Sequence, residues 1–480
     1  MATVTRTAAA KPKTSGIDDR AGGVAVLMAL AAWSLFVFAG RDRWAVAVLG
    51  ALALIAAATY RPRFRHAHRF VDTALAASLA YAALQLVPLP SDLRLLVSPA
   101  SQAVDRALAL VPADPAHLPA HPLTLDAVST SWALVLAFSV ALTFSTARTL
   151  FERGGHLRAS LRGIVWIGLV LAAVTFVQRS LSPHLFYGIW KPVARTDRPS
   201  PLGPFLNRND LATWLALAVP LVAGYMMARI KSHAPERRGS ATIEAVLDSR
   251  MMIAGASLLL MMALLLSTAS RSGIVGCGAG LLALLFIERR RVSGGQFAAL
   301  LAALAAIGAV ATVYVNMPGL TARFGDVFAP DLGRGRIDIW RQTWPIARDF
   351  WRTGVGVGAF QRAMIVYEKR PFELFINHAH NEYLQLLVEG GVPLAALAFV
   401  TAVAGATEAR GRLRGDRTSI ASIRAGAIGG MIALAVESIW DTGILMPANA
   451  VLFAIVAAIA LHINPHDGGA SDARAHDRRA

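Results

Sequence analysis

The fold class follows most directly from residues 251–287, which read MMIAGASLLLMMALLLSTASRSGIVGCGAGLLALLFI. Two apolar blocks meet here, with only a few polar residues between them. A run of roughly 18 or more apolar residues crosses a hydrocarbon core about 30 Å thick, because each helical residue advances the chain by about 1.5 Å. This stretch therefore predicts two membrane-spanning helices joined by a tight turn around Ser267–Gly273.

The composition of the whole chain supports a membrane protein. Of the 480 residues, 55% are apolar and only 16% are charged, whereas about a quarter of the residues are charged in soluble proteins. The single cysteine, Cys277, lies inside an apolar block, which excludes a disulfide framework and a cysteine-based metal site. The net charge of +17 is spread over short basic clusters between apolar blocks. Such clusters orient helices and contact membrane lipids, so we predict no binding to nucleic acid.

The order of the apolar blocks predicts an all-α fold, a polytopic transmembrane bundle of about 12 spans. The first block follows a basic N-terminus, and Phe38-Ala39-Gly40 faintly resembles a signal-peptidase site. The charge alternation along the chain requires this block to be retained, so we interpret it as a signal anchor. The predicted spans are 22–39, 44–60, 70–87, 128–148, 162–178, 210–228, 251–268, 272–287, 296–315, 384–406, 425–441 and 446–463.

The arginines and lysines predict the orientation of these spans. With the N-terminus in the cytoplasm, every inside segment is basic, as the positive-inside rule requires. Clear breaks between spans are expected at Tyr60-Arg61-Pro62, at Glu288–Arg291 and at Ala409–Arg417. The predicted division is a cytoplasmic tail at 1–20, spans one to nine within 21–315, a large outer loop at 316–383, spans ten to twelve within 384–463, and a cytoplasmic tail at 464–480.

The outer loop at 316–383 is the longest predicted segment between spans. Loops of this length are usually functional or disordered, and this one is rich in aromatic residues, so we expect it to fold over the outer ends of the helices. It contains two predicted amphipathic helices, around Ile337–Trp351 and Ala359–Lys369, separated by the glycine-rich run Gly354–Gly358. No parallel strand precedes that run, so we reject a dinucleotide-binding loop and predict a hinge or turn.

Three basic side chains near the outer face are candidates for binding an anion. Arg271 is either an arginine reaching from a helix end to the interface or a buried arginine that needs an anionic ligand. Glycines follow it at Gly273, Gly276 and Gly280, which permits close helix packing and favours the buried position. Arg336 and Arg341 lie on the first loop helix, where nearby aspartates offer ordinary intrahelical pairs instead.

Two histidines close the large loop. His378 and His380 precede Glu382, so a metal site is conceivable, but no further ligands are evident. A histidine with a pKa near neutrality also suits general-base catalysis on a hydroxyl, and a purely structural histidine remains an alternative. Glu437 and Asp441, in or at the end of the eleventh span, are either functional carboxylates or partners of an outer arginine.

Three segments together resemble a known family. They are Ser270–Gly273, then Gly335–Trp340 followed by Gly354–Phe360, and finally His380–Gln385 with Gly391 eleven residues after the histidine. The chain is similar, over roughly residues 200–460, to the superfamily of O-antigen ligases and Wzy-type polysaccharide polymerases. Weaker matches are Gly203–Asn209, Asp441 and Pro447–Ala450, and departures from the family pattern occur at His378, Pro393 and Glu437.

This resemblance implies a metal-independent glycosyltransferase, without a cofactor, in the bacterial inner (cytoplasmic) membrane. The donor would be a glycan on undecaprenyl pyrophosphate, and the acceptor would be a hydroxyl of a glycolipid such as lipid A core or of a growing polysaccharide. His380 would be the catalytic base, because a positioned histidine can accept the proton of the attacking hydroxyl. The pyrophosphate would be bound by Arg271, Arg336 and Arg341, with support from Asn209, Asn381, Glu382 and Asp441.

Other functions remain open from the sequence. Within the superfamily, a ligase, a polymerase and a protein O-oligosaccharyltransferase are not separated. A secondary transporter would place ionisable residues at the membrane midplane and show internal repeats. The predicted spans are nearly free of charge and no repeat is visible, which disfavours a transporter. A scaffold without catalytic activity is a further alternative.

Overall fold

The protein is helical throughout the part that the structure describes. The computed structural model describes residues 15–62, 68–109, 120–191, 200–233, 248–289, 334–369 and 376–464. Within these ranges the only sheet is a pair of two-residue antiparallel strands, β1 (Pro88–Leu89) and β2 (His121–Pro122), so the predicted all-α class is confirmed. The described helices are α1 Ser15–Phe36, α2 Arg43–Tyr60, α3 Arg69–Leu84, α4 Ser91–Val97, α5 Pro99–Leu108, α6 Ala127–Glu152, α7 His156–Leu181, α8 Arg208–His233, α9 Ser249–Thr268, α10 Arg271–Glu288, α11 Arg334–Asp349, α12 Phe360–Tyr367, α13 Glu382–Gly415, α14 Ile420–Glu437 and α15 Pro447–Leu461.

Eight of the described helices are long and apolar enough to cross a membrane, namely α2, α6, α7, α8, α9, α10, α13 and α14. The chain is therefore an integral membrane protein. Shorter apolar helices, Arg20–Phe36 and Pro447–Leu461, lie at the predicted first and twelfth spans. Helix α3 lies at the third, and the predicted ninth span at 296–315 is outside the described residues. The total of twelve spans stays a prediction.

Helix α8 is the centre of the bundle, and 94% of its most apolar window is buried. Helices α10 and α14 pack closely against each other through small residues. A Cβ atom on Gly276 would lie 2.6 Å from the carbonyl oxygen of Ala433, and one on Gly280 would lie 2.4 Å from that of Gly429. Real side chains do not approach so closely, so glycine is what allows these backbones to meet, as is typical between membrane helices.

Several helices begin at the same end of the bundle, which we call the top end. The Asn449 side chain at the start of α15 donates to the carbonyl oxygen of Asp210 at the start of α8 (2.9 Å). The Glu382 amide at the start of α13 donates to Ser438, just after the end of α14 (2.9 Å). The predicted alternation of spans requires this arrangement, because spans six, eight, ten and twelve would start on the face where span eleven ends.

The two loop helices cover the top end. Helices α11 and α12 occupy the regions where amphipathic helices were predicted. Their inner faces form a second hydrophobic cluster, separate from the core of the bundle, which includes Ile346, Phe350, Phe360 and Met364. Burial of such side chains stabilises each by about 1.5–3 kcal/mol relative to exposure. The cluster also includes Val104 of α5 and Val388 of α13, so it holds the loop helices to the rest of the protein.

The break expected at Ala409–Arg417 contains the end of α13, which continues as a helix to Gly415, beyond the predicted end of the span at 406. Arginine, which is frequent in this segment, and leucine favour a helix, and no proline interrupts it. Helix α13 is broken instead near its start, at Gly391, whose backbone has φ 61° and ψ −170°. The helix therefore changes direction at Gly391, directly before Val392 and Pro393.

Candidate active site

A buried carboxylate at the top end joins two of the predicted site residues. Asp441 lies in the turn between α14 and α15, and its side chain is 2% exposed. One oxygen accepts from Nη2 of Arg336 at 3.3 Å, and the other lies 3.4 Å from Nδ1 of His380. The backbone amide of Thr442 also donates to Asp441, at 3.0 Å. A buried charge is costly unless it is paired, and these three donors satisfy it.

The hydrogen bond with Asp441 determines the tautomer of a neutral His380 ring. Burial opposes ionisation of this carboxyl, but the hydrogen bond with His380 and the positive charge of Arg336 outweigh burial and hold the pKa of Asp441 below its ordinary range. An ionised Asp441 can only accept hydrogen bonds. We therefore assign the proton of neutral His380 to Nδ1, which leaves the lone pair of Nε2 for another group.

The backbone around His380 is fixed from both sides. His380 has φ 49°, a left-handed conformation that costs a residue other than glycine about 1–3 kcal/mol. The amide of Ala379, just before it, donates to the side chain of Gln385 (2.7 Å), and the carbonyl of Ala379 accepts from the indole of Trp340 (3.0 Å). After it, the side chain of Asn381 caps α13 by accepting from Leu384 (2.9 Å). The strained conformation aims the imidazole at Asp441.

His378 has a different environment. Partial burial and the neighbouring His380 lower the pKa of His378 to about 4, so it is neutral at physiological pH. Its Nδ1 is buried and makes no hydrogen bond with the described residues. Within the same residues, no group of three or more histidine, cysteine, aspartate or glutamate side chains is arranged to hold a metal ion.

Arg271 lies at the top end but does not take part in the Asp441 cluster. It is the first residue of α10, it is half-buried, and Ser270 caps the helix beside it. The start of α10 packs on α8, because a Cβ on Gly273 would lie 2.4 Å from that of Ala212. Among the described residues, Arg271 has no hydrogen-bond or ion-pair partner.

The remaining predicted residues are dispersed. Arg341 is 73% exposed on the outer side of α11 and pairs with Asp338 at 3.1 Å, so it does not converge on Asp441. Asn209 is half-buried at the start of α8 and Asn381 is a helix cap. Glu382, at the start of α13, has a buried carboxylate oxygen without a hydrogen bond in the described structure.

Two buried carboxylates accompany Asp441. Glu437, at the end of α14, accepts from the hydroxyl of Thr213 at 2.6 Å, and Asp210 lies one turn before that threonine on α8. Glu437 was predicted from the sequence but Asp210 was not, although both are acidic residues in an apolar block. The top end thus carries carboxylates from α8, α13 and α14 around the arginine and the histidine.

The glycine run is a turn, as predicted, and it docks onto the break in α13. The amide of Val355 donates to Val388 (2.9 Å), that of Gly356 to Glu389 (3.0 Å), and that of Val392 to Trp351 (2.7 Å). Gly354 has φ 69°, and a Cβ there would lie 2.1 Å from the carbonyl oxygen of Glu389. Only glycine fits this approach, which locks the loop helices to α13 and so to His380.

Gln85, which no sequence motif had singled out, completes this junction. Its amide nitrogen donates to the carbonyls of Thr353 (2.8 Å) and Glu389 (2.9 Å), and its oxygen accepts from the amide of Val357 (3.0 Å). The signal was a polar residue at the end of an apolar block, which is costly unless its groups are paired.

Part of the chain that contains the candidate active site matches a known family. Residues 256–399 match the family model described as O-Antigen ligase. The match includes Arg271, Arg336 and His380 but neither Asp210 nor Asp441. It confirms the resemblance to the O-antigen ligase superfamily that the sequence motifs indicated. No curated protein matched the chain.

Proposed function

Because the chain is a membrane protein with an O-antigen ligase domain, we propose that it is a glycosyltransferase acting on a lipid-linked glycan. The donor is a glycan on undecaprenyl pyrophosphate, and the acceptor is a hydroxyl of lipid A core or of a growing polysaccharide, at the periplasmic face of the bacterial inner membrane. The observation that supports this proposal best is the convergence of Arg336 and His380 on the buried carboxylate of Asp441.

The histidine supplies the base. Nε2 of His380 accepts the proton of the acceptor hydroxyl while its oxygen forms a bond to the anomeric carbon of the donor sugar. The bond between that carbon and the phosphate oxygen breaks, and its electron pair leaves with the pyrophosphate. Asp441 holds Nδ1 and stabilises the imidazolium that forms, as a carboxylate does for the histidine of a catalytic triad. General-base catalysis of this kind contributes about 10²–10⁴-fold.

The arginines stabilise the leaving group. Arg336 uses one N–H on Asp441 and is 32% exposed, so its remaining donors can reach an oxygen of the pyrophosphate. Arg271 offers a second guanidinium at the start of α10. The N-termini of α8, α10, α13 and α15 are at the same end, and their partial positive charges favour an anion there. Because these groups stabilise the negative charge of the leaving pyrophosphate, the proposed reaction needs no metal ion.

A cellular experiment tests this function and separates the acceptors. The gene is deleted, and envelope glycans are resolved on a gel. Loss of all polymer from lipopolysaccharide would indicate a ligase, whereas single-repeat products would indicate a polymerase. Loss of glycans from proteins alone would indicate a protein oligosaccharyltransferase. The defect should be restored by the wild-type gene and by a His378→Ala variant, but not by His380→Ala. An unchanged glycan profile in the deletion strain would contradict the proposal.

A further inference from the structure

The outer side of helix α11 carries a row of exposed side chains that the site does not use. The first four exposed positions follow one another at spacings of four and three residues, which places them along one face of the helix, and the fifth lies in the turn that follows the end of α11 at Asp349. The opposite face, with Thr343, Ile346 and Ala347, is buried against the protein. We call the exposed set the outer row; it consists of Ile337, Arg341, Trp344, Arg348 and Trp351.

The outer row starts at the candidate active site and runs away from it. Its first member, Ile337, follows Arg336, whose guanidinium contacts Asp441. Its last member, Trp351, is held by a hydrogen bond from the amide of Val392 to its carbonyl oxygen (2.7 Å). At about 1.5 Å per residue, the helical part of the row, from Ile337 to Arg348, extends for about 16 Å, and Trp351 lies beyond it. The row therefore begins beside the candidate active site and leads away from it.

The side chains in the row suit a sugar chain. Trp344 is 60% exposed and Trp351 is 51% exposed. An exposed indole offers a flat apolar surface, and a pyranose ring presents a flat face of C–H groups. Between the two lies Arg348, which is 72% exposed and can donate to the hydroxyls at the rim of a sugar. The guanidinium of Arg352 stacks on the Trp351 ring at 5.3 Å, which holds that indole in place.

A lipid surface fits the row less well. A helix that lies in a membrane interface buries a broad apolar face in the lipid and keeps its charged face outside. In α11 the broad apolar face, with Ile346, Ala347 and Phe350, is already buried in the protein. The exposed row is one residue wide, and two of its five members are arginines.

From this geometry, and resting on the proposed function, we propose that the outer row of α11 binds the glycan chain of the lipid-linked donor. Trp344 and Trp351 stack on successive sugars as the chain leads away from the pyrophosphate. Chains of many repeat units reach both tryptophans, whereas a single repeat unit remains near Arg336. The row therefore contributes to affinity for long donors and not to the chemical step.

The test compares donors of two lengths. Undecaprenyl-pyrophosphate glycans from the native host are separated into single-repeat and many-repeat fractions, and transfer by the purified full chain is measured with each. The variants are Trp344→Ala with Trp351→Ala, and, as a matched control, Trp166→Ala, an equally exposed tryptophan in the middle of α7. In parallel, calorimetry measures binding of the glycan alone, after release from its lipid by mild acid.

The double variant should raise KM for many-repeat donors about tenfold, given typical energies of aromatic contacts. Its kcat and its KM for single-repeat donors should change less than twofold, and binding of the free glycan should weaken in parallel. The inference would be overturned if the double variant changed KM equally for both donor lengths, or changed neither. It would also be overturned if the double variant no longer inserted into lipid nanodiscs but still bound the free glycan, since the row would then contact lipid. If even the wild-type protein transfers no glycan, the proposed function fails, and the calorimetry still decides whether the row binds glycans.

Discussion

At the scale of single residues, His380 and His378 differ in their surroundings, and the proposed general base depends on that difference. Both lie in the same short segment, yet His380 contacts Asp441, whereas the buried Nδ1 atom of His378 makes no hydrogen bond with the described groups. His380→Ala should lower turnover by about 10²–10⁴-fold and leave donor binding largely intact, because a general base acts in the transition state. Steady-state kinetics and donor-binding measurements on purified protein test this.

The matched control is His378→Ala, which should reduce turnover much less than His380→Ala. If His378 proves the more sensitive position, the assignment of the base is wrong. If neither substitution matters while both variants fold and insert, the histidine is structural and the base is another group, such as Glu382.

The arginines should affect binding as well as rate. A charge-assisted hydrogen bond contributes about 1.5–3 kcal/mol, so Arg271→Ala and Arg336→Ala should each weaken donor binding by about ten- to a hundredfold. Arg336→Ala should have the larger effect, because it also removes a partner of Asp441. Lysine should restore little at either position, since an ammonium cannot supply the planar fork of donors.

Donor affinity of the purified variants measures this effect. Arg410→Ala, which removes an exposed arginine near the far end of α13, is the control and should bind donor normally. Wild-type affinity in Arg271→Ala would remove that residue from the site, and full rescue by lysine would show that charge alone suffices.

At the scale of secondary-structure elements, the contact between the glycine turn and the break in α13 positions the loop. Gly391 has a backbone conformation that is essentially restricted to glycine, and a Cβ there would lie 2.7 Å from the carbonyl oxygen of Trp351. Gly391→Ala should therefore destabilise the protein by about 1–3 kcal/mol and sharply reduce activity. Thermal unfolding in detergent and transfer assays measure the two effects.

The control for this prediction is in the same helix. A Cβ atom on Gly405 would meet nothing within 4 Å, and the backbone there is ordinary helix, so Gly405→Ala should leave activity unchanged. It should also slightly raise stability, because alanine favours a helix over glycine by about 0.5–1 kcal/mol. Equal behaviour of the two variants would mean that the break at Gly391 is not needed.

The sequence was informative about elements and incomplete about their contacts. The periodicity around Ile337–Trp351 and the glycines at Gly354–Gly358 predicted two loop helices and a turn, because both signals are local. The extension of α13 to Gly415 was missed, since a change from apolar to basic residues ends a span but not a helix. The pairing of His380 with Asp441 joins residues 61 apart in the chain, and no local pattern encodes such a contact.

At the scale of the whole molecule, the common direction of α8, α10, α13 and α15 predicts that the site lies on one face of the membrane. Reporter fusions after Arg291 and Arg417 should read cytoplasmic, and a fusion within 316–383 should read periplasmic, because the basic segments remain inside. A cytoplasmic signal from 316–383 would contradict the proposed function, because the loop and the lipid-linked donor would then lie on opposite sides of the membrane.

The most direct measurement is glycan transfer by the purified chain in nanodiscs. The protein is supplied with undecaprenyl-pyrophosphate-linked glycan and a panel of acceptors, namely lipid A core, unextended glycan repeats and a hydroxyl-bearing peptide, in the presence of EDTA. We expect glycan to appear on one acceptor and pyrophosphate-bearing lipid to be released in equal amount. His380→Ala should abolish nearly all of this transfer. Absence of transfer to every acceptor, or loss of transfer with EDTA that a divalent ion restores, would contradict the proposed function.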